Sequence, residues 1–125
     1  MELERRVSRL SARATIAFPK GIVQPKHTTR TTIVFLRDPG VKAYVLRRAG
    51  GICEACDFPA PFKTALGGDF LEVHHLKPLA EGGSDRAQNA VALCPNCHRA
   101  MHHASDAGQR TERLYAKIGS VLIPE

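Results

Sequence analysis

Four cysteines stand as two pairs, Cys53-x-x-Cys56 and Cys94-x-x-Cys97, with histidines between and just beyond them at His74, His75, His98 and His102. Thiolates three positions apart can both reach one tetrahedral ion, and two such pairs supply the four ligands of a structural Zn²⁺ site. A disulfide reading would need an oxidising compartment, and a redox Cys-x-x-Cys would leave the second pair unexplained. The 37 residues between the pairs exceed what a simple zinc ribbon needs, so an inserted element must close back on itself. The histidines point to a second ion. His98 and His102 are one helical turn apart and present their rings on one face. A third neutral imidazole from the His74-His75 pair would complete three protein ligands and leave a coordination position open, the arrangement of a catalytic metal.

These side chains need elements to hold them. Asp38-Pro39 reads as a helix start, an N-cap acceptor followed by proline at the first helical position. That helix runs through Val41, Val45, Leu46 and Ala49, ends at Gly50-Gly51 and delivers the chain into the first cysteine pair. Residues 70–76 (FLEVHHL) form a strand, 77–89 a polar loop with Gly82-Gly83 and Asp85, and 90–93 a second short strand entering Cys94. Helices follow over about 96–104 and 106–119, the latter capped by Asp106 with Leu114 and Ile118 on one face. Neighbouring strand residues point to opposite faces, so His74 and His75 can serve one site only if the strand ends or bulges there.

The remainder is simpler. A chain of 125 residues with 43% hydrophobic content and no tryptophan suits one small α+β domain that needs staples. It contains no apolar run long enough to span a membrane, and the basic start lacks the apolar core of a signal peptide. Residues 1–13 place Leu3, Val7 and Leu10 at helical spacing among Arg5, Arg6, Arg9 and Arg13. Residues 31–36, rich in β-branched side chains, read as a strand. Charge is uneven: residues 1–50 hold 11 Lys/Arg against 3 Asp/Glu, and residues 51–125 hold 7 against 9. A half at +8 joined to a half at −2 suits a polyanionic partner, although a solvated basic arm has the same composition.

The stretch from Cys53 to His102, GICEAC … LEVHHLKPLAEGG … NAVALCPNCHRAMHH, resembles the HNH nuclease family over about 40% of the chain. Its histidine spacing is similar to that of colicin-type HNH nucleases. The cysteine pairs and the basic helix before them are closer to the HNH domains of McrA-type restriction enzymes, which act on modified cytosine. The resemblance implies a small ββα-metal (His-Me finger) domain with a treble-clef-like four-cysteine zinc site over 38–125, a motif core at 53–102, and a basic extension over 1–37 that could touch DNA. It makes His74, His98 and His102 ligands of a catalytic divalent ion, His75 the general base, and Asn89 the residue that fixes the loop. Cys53, Cys56, Cys94 and Cys97 hold the separate structural zinc.

Phosphodiester hydrolysis suits these residue types, since imidazole can take a proton near neutral pH and a divalent cation stabilises charge on phosphate and leaving oxygen. The expectation is therefore an endonuclease acting on double-stranded DNA in a bacterial or phage-infected cytoplasm, with no membrane partner. Its catalytic ion would be Mg²⁺, Mn²⁺, Ni²⁺, Co²⁺ or Zn²⁺. One such site cuts one strand, so a double-strand break would require a homodimer or rebinding. Arg47, Arg48, Lys77 and Arg99 are the cations near the motif that could contact phosphate, or else solvated charges and helix caps. Two competing readings use the same cysteines: a non-catalytic zinc module that binds DNA, and a zinc-stabilised protein-interaction domain in which the histidines are incidental.

Overall fold

The computed structural model describes residues 2–125, which divide into two compact units, one reaching Ile33 and one spanning Val34–Glu125. The first unit holds helix α1 (Glu2–Ser11) followed by extended chain. Arg6 donates to Glu2 at 3.1 Å one turn away, while Leu3, Val7 and Leu10 stay exposed. Residues 31–36 are extended, as their composition predicts, but enter no ladder, so the expected strand is absent. β-branching favours the extended backbone, yet a strand exists only where a neighbour accepts its hydrogen bonds.

The second unit follows the local signals closely. Helix α2 (Pro39–Ala49) starts where the Asp38 carboxylate accepts from the Gly40 amide at 2.8 Å, and it stops where Gly50 takes a left-handed φ of 61° and donates to Leu46 O. Strand β1 (Glu72–His75) pairs antiparallel with β2 (Ala90–Leu93) in the register Glu72↔Leu93 to His75↔Ala90. Helices α3 (Pro95–His103) and α4 (Ala107–Lys117) complete the order. Together these make a small α+β domain in which two strands and α3 form the ββα unit.

All four residues of β2 are buried, against β1, α2 and α3. Val45, Leu71, Leu76, Met101, Leu114 and Leu122 close the core around it. Such a core is small, and cross-links between distant segments matter correspondingly. Two sequence expectations differ in detail. Asp106 makes no cap bond. Its carboxylate instead accepts from Arg110 at 2.7 Å, because an arginine one turn ahead is the stronger donor. β1 is also shorter than the predicted 70–76, since its ladder is limited by the four residues of β2. Among the described residues no helix is long and apolar enough to cross a membrane.

Candidate active site and metal centres

The two cysteine pairs meet. One sulfur from each of Cys53, Cys56, Cys94 and Cys97 lies within 4.8 Å of the others. The first pair sits on a tight turn closed by Cys53 N–H to Phe58 O and Asp57 N–H to Cys53 O. The second sits at the start of α3, where the Cys97 amide donates to the Cys94 sulfur at 3.5 Å. The turn is fastened to the free edge of β2 through Glu54, whose amide donates to Ala92 O and whose carboxylate accepts from Ala92 N–H. At its other side the Lys117 ammonium donates to Glu54 O, Ala55 O and the Asp57 carboxylate.

Zn–S bonds of about 2.3 Å would set tetrahedral sulfurs about 3.8 Å apart; Cys56 and Cys94 sulfurs are separated by 3.9 Å. Burial works against an anionic Cys53, but the amides of Cys56, Cys94 and Ala55 bring its thiol down to about 7. Burial and the neighbouring thiols push Cys97 up. A cluster poised in this way reaches full ionisation only against a cation, and the donor set fits zinc.

The histidines converge on the other side of α3. Nitrogens of His74, His98 and His102 fall within 4.8 Å of one another, from a buried, a half-buried and an exposed position respectively. The graded exposure leaves the cluster open on one side. His98 Nε2 and His102 Nε2 are 3.2 Å apart, against about 3.3 Å for two nitrogens on one tetrahedral ion with bonds of 2.0–2.1 Å. Burial, and then the imidazoles of His102, His98 and His75, bring His74 down to about 4, so its ring is neutral and its lone pair available at pH 7. The Glu72 carboxylate accepts from His98 Nδ1 at 2.9 Å, which leaves Nε2 as the coordinating atom.

His74 and His75 lie in an unbroken ladder without a bulge, and β1 ends at His75. Alternation accordingly separates them. His74 shares the face of Glu72 toward α3, while His75 shares the face of Val73 and meets Asp85. Both nevertheless line one cleft that wraps the strand end, together with Phe35, Arg37, Pro78, Leu79, His98 and His102. His75 Nε2 lies 2.8 Å from Asp85 Oδ1, with the ring 6% exposed. Asn89, fully buried at the foot of β2, pins the loop: its carbonyl accepts from Lys77 N–H and its amide donates to Lys77 O and Ser84 O. Gly83 packs so tightly on the Lys77 carbonyl that a side chain there would collide with it.

The four cations singled out in the sequence divide. Arg47 and Arg99 are exposed, and Lys77 is half-buried and held by its backbone. Arg48 is turned inward. Its guanidinium makes a bidentate pair with Glu54 at 2.9 Å and donates to Ala87 O and Ala90 O. Its donors are therefore engaged within the fold rather than offered to phosphate. Sequence reasoning missed Glu72, Asp85 and Arg37. Glu72 could have been found from its position two before His74 on the same strand face; Asp85 and Arg37 carry no comparable local signal. A second hollow, beside the cysteines and α4, is lined by Arg110, Arg113 and Lys117, but Asp106 and Asp57 already engage those cations.

The fold is a small ββα unit carrying a four-cysteine cluster suited to zinc, and residues 53–104 match the model of the HNH endonuclease family. More particularly, the chain is 46% identical over 116 residues to the type IV methyl-directed restriction enzyme EcoKMcrA of Escherichia coli K12, covering 93% of this chain and 42% of that one. It also resembles the solved type IV phosphorothioation-dependent restriction endonuclease ScoMcrA, with a TM-score of 0.60 and 33% identity over 68% of this chain and 19% of that one. A 29-residue stretch is 55% identical to anaredoxin of Nostoc sp. PCC 7120, covering 23% of this chain and 38% of that protein. The chain thus spans less than half the length of these relatives.

Proposed function

We propose that this chain carries the cutting domain of a McrA-type restriction enzyme and hydrolyses phosphodiester bonds in double-stranded DNA. The observation that carries the reading is the convergence of three imidazoles on one open-sided point, with a fourth imidazole, His75, held by a carboxylate on the same cleft. A protein-interaction domain built on the cysteines has no use for that second cluster.

His74, His98 and His102 hold a divalent ion. When bound, that ion supplies positive charge against the phosphate and the departing 3′ oxygen. His75 takes the proton from the attacking water and holds it as imidazolium. Asn89 keeps the 77–84 loop closed over the end of β1, so that His75 is presented in one orientation. The four cysteines take no part in the reaction and hold zinc as a frame. Arg37 on the cleft wall, with Lys77 and Arg99 close in sequence to His75 and His98 and Arg47 exposed on α2, meets the DNA backbone, and the basic residues 1–37 extend that contact. One site cuts one strand, so a double-strand break needs a second copy or a second encounter.

The test is plasmid conversion in the presence of Mg²⁺, Mn²⁺, Co²⁺ or Ni²⁺. Supercoiled DNA should become nicked with at least one ion, and His75→Ala should abolish this while leaving DNA binding intact. Cutting that persists in His75→Ala would remove the base assignment. Binding without cutting under every ion would favour the non-catalytic zinc module.

A further inference from the structure

Asp85 lies in the loop between the two strands and is not a ligand of either cluster. Its two carboxylate oxygens have separate jobs. Oδ1 is 2.8 Å from His75 Nε2, and Oδ2 accepts from the Asp38 backbone amide at 2.7 Å, at the N-cap of α2. Its neighbours are anchored as well. Ser84 is held through its carbonyl by Asn89 and through its amide by the Glu125 carboxylate at 2.9 Å, and Arg86 donates to Glu125 at 3.0 Å. The carboxylate therefore stands on a short span fixed at both ends.

An ionised carboxylate accepts at both oxygens and donates at neither. Nε2 of His75 must then carry the proton it gives to Asp85, and the lone pair is left on Nδ1. Resting on the reading of His75 as base, we propose that Asp85 is the positioning residue that selects the His75 tautomer and makes Nδ1 the atom that accepts the proton from water. Asparagine, though nearly the same shape, cannot replace it. With its oxygen toward His75 it turns an NH₂ group on the Asp38 amide, and with its oxygen toward Asp38 it offers a donor to Nε2 and inverts the tautomer.

The experiment pairs D85N with H75A in the full zinc-loaded chain and adds a readout besides cleavage. Nitrogen NMR of ¹⁵N-histidine-labelled protein, with the His75 signals identified by their loss in H75A, should show wild-type His75 protonated at Nε2 and bare at Nδ1. In D85N those signals should move to a mixture or to the opposite tautomer, while the circular dichroism stays that of the wild type. Steady-state nicking by D85N should lose about 10- to 100-fold in kcat, a part of what a general base contributes, with KM changed less than about twofold. A wild-type His75 protonated at Nδ1 would overturn the proposal, and this measurement decides it even if D85N fails to fold. Wild-type kcat in D85N, where H75A is dead, would overturn the positioning role alone. Cleavage retained by H75A would overturn the base reading and the positioning role with it.

Discussion

The cysteine corner and the histidine corner flank the same helix, yet they are built on opposite principles. The cysteines come from the turn after α2 and the start of α3, segments otherwise joined mainly through Glu54 and Lys117. The histidines project from β1 and α3, whose backbones are already satisfied by the ladder and by the helix. The first cluster joins segments that are otherwise separate; the second is carried by elements that are already joined. A site that must keep one side open to substrate cannot also be the main staple of a small domain, and on the proposed function the two duties fall to different side chains.

The largest effect that tests this contrast is loss of a thiolate. Cys53→Ala should abolish cooperative folding, seen by circular dichroism, and a strong chelator should do the same to the wild-type chain. Structural zinc in small peptides contributes about 10–16 kcal/mol, comparable to the whole stability of a typical domain, about 5–15 kcal/mol. Next comes Arg48→Ala, which leaves the Glu54 carboxylate, 9% exposed, without its partner against β2. Breaking a buried pair from one side costs about 3–5 kcal/mol, to be measured by urea unfolding of zinc-loaded protein. Asn89→Ala orphans the Lys77 amide and the Lys77 and Ser84 carbonyls. The loss of about 2–3 kcal/mol follows from about 1–3 for each buried group left unpaired, part of which water recovers.

These residues also mark what could be read from the chain. The caps of α2 were legible because Asp-Pro and Gly act through their own backbone, as was the gathering of the four cysteines and of three of the histidines, whose spacing sets which side chains can meet. Arg48 and Asp85 were not. Arg48 has its role decided by Glu54 and β2, 6 and about 40 residues away. Asp85 depends on a loop conformation that Gly83, Asn89 and Glu125 set jointly. Residues 31–36 failed in the opposite sense: their propensity was strong, but pairing is a property of a neighbour, and no described residue pairs with them.

Acid gives a smaller test. Hydrogen bonds from the Ser84 side chain and amide, and then from Arg86, hold Glu125 down to about 2. A carboxylate depressed on folding contributes stability that is present above its unfolded pKa, about 4.5, and is lost as pH falls toward 2. Glu125→Gln should therefore flatten the stability profile between pH 4.5 and 2 by lowering the neutral plateau toward the acid level, a small change because an exposed ion pair is worth little. A profile with the same acid limb in both proteins would mean that Glu125 does not latch the loop.

The smallest effect on stability should come from the residue with the largest effect on activity. His98 is half-buried, its bond to Glu72 is partly solvated, and its backbone lies within a helix that Cys94 and Cys97 already anchor. His98→Ala should melt within a few degrees of wild type, consistent with a change of about 0.5 kcal/mol or less for a substitution away from the core. DNA nicking should disappear under every divalent ion, and zinc content should remain one per chain after dialysis against a weak chelator. An unfolded His98→Ala protein would mean that the histidine cluster also holds the fold together, and the division of labour between the two sides of α3 would fail.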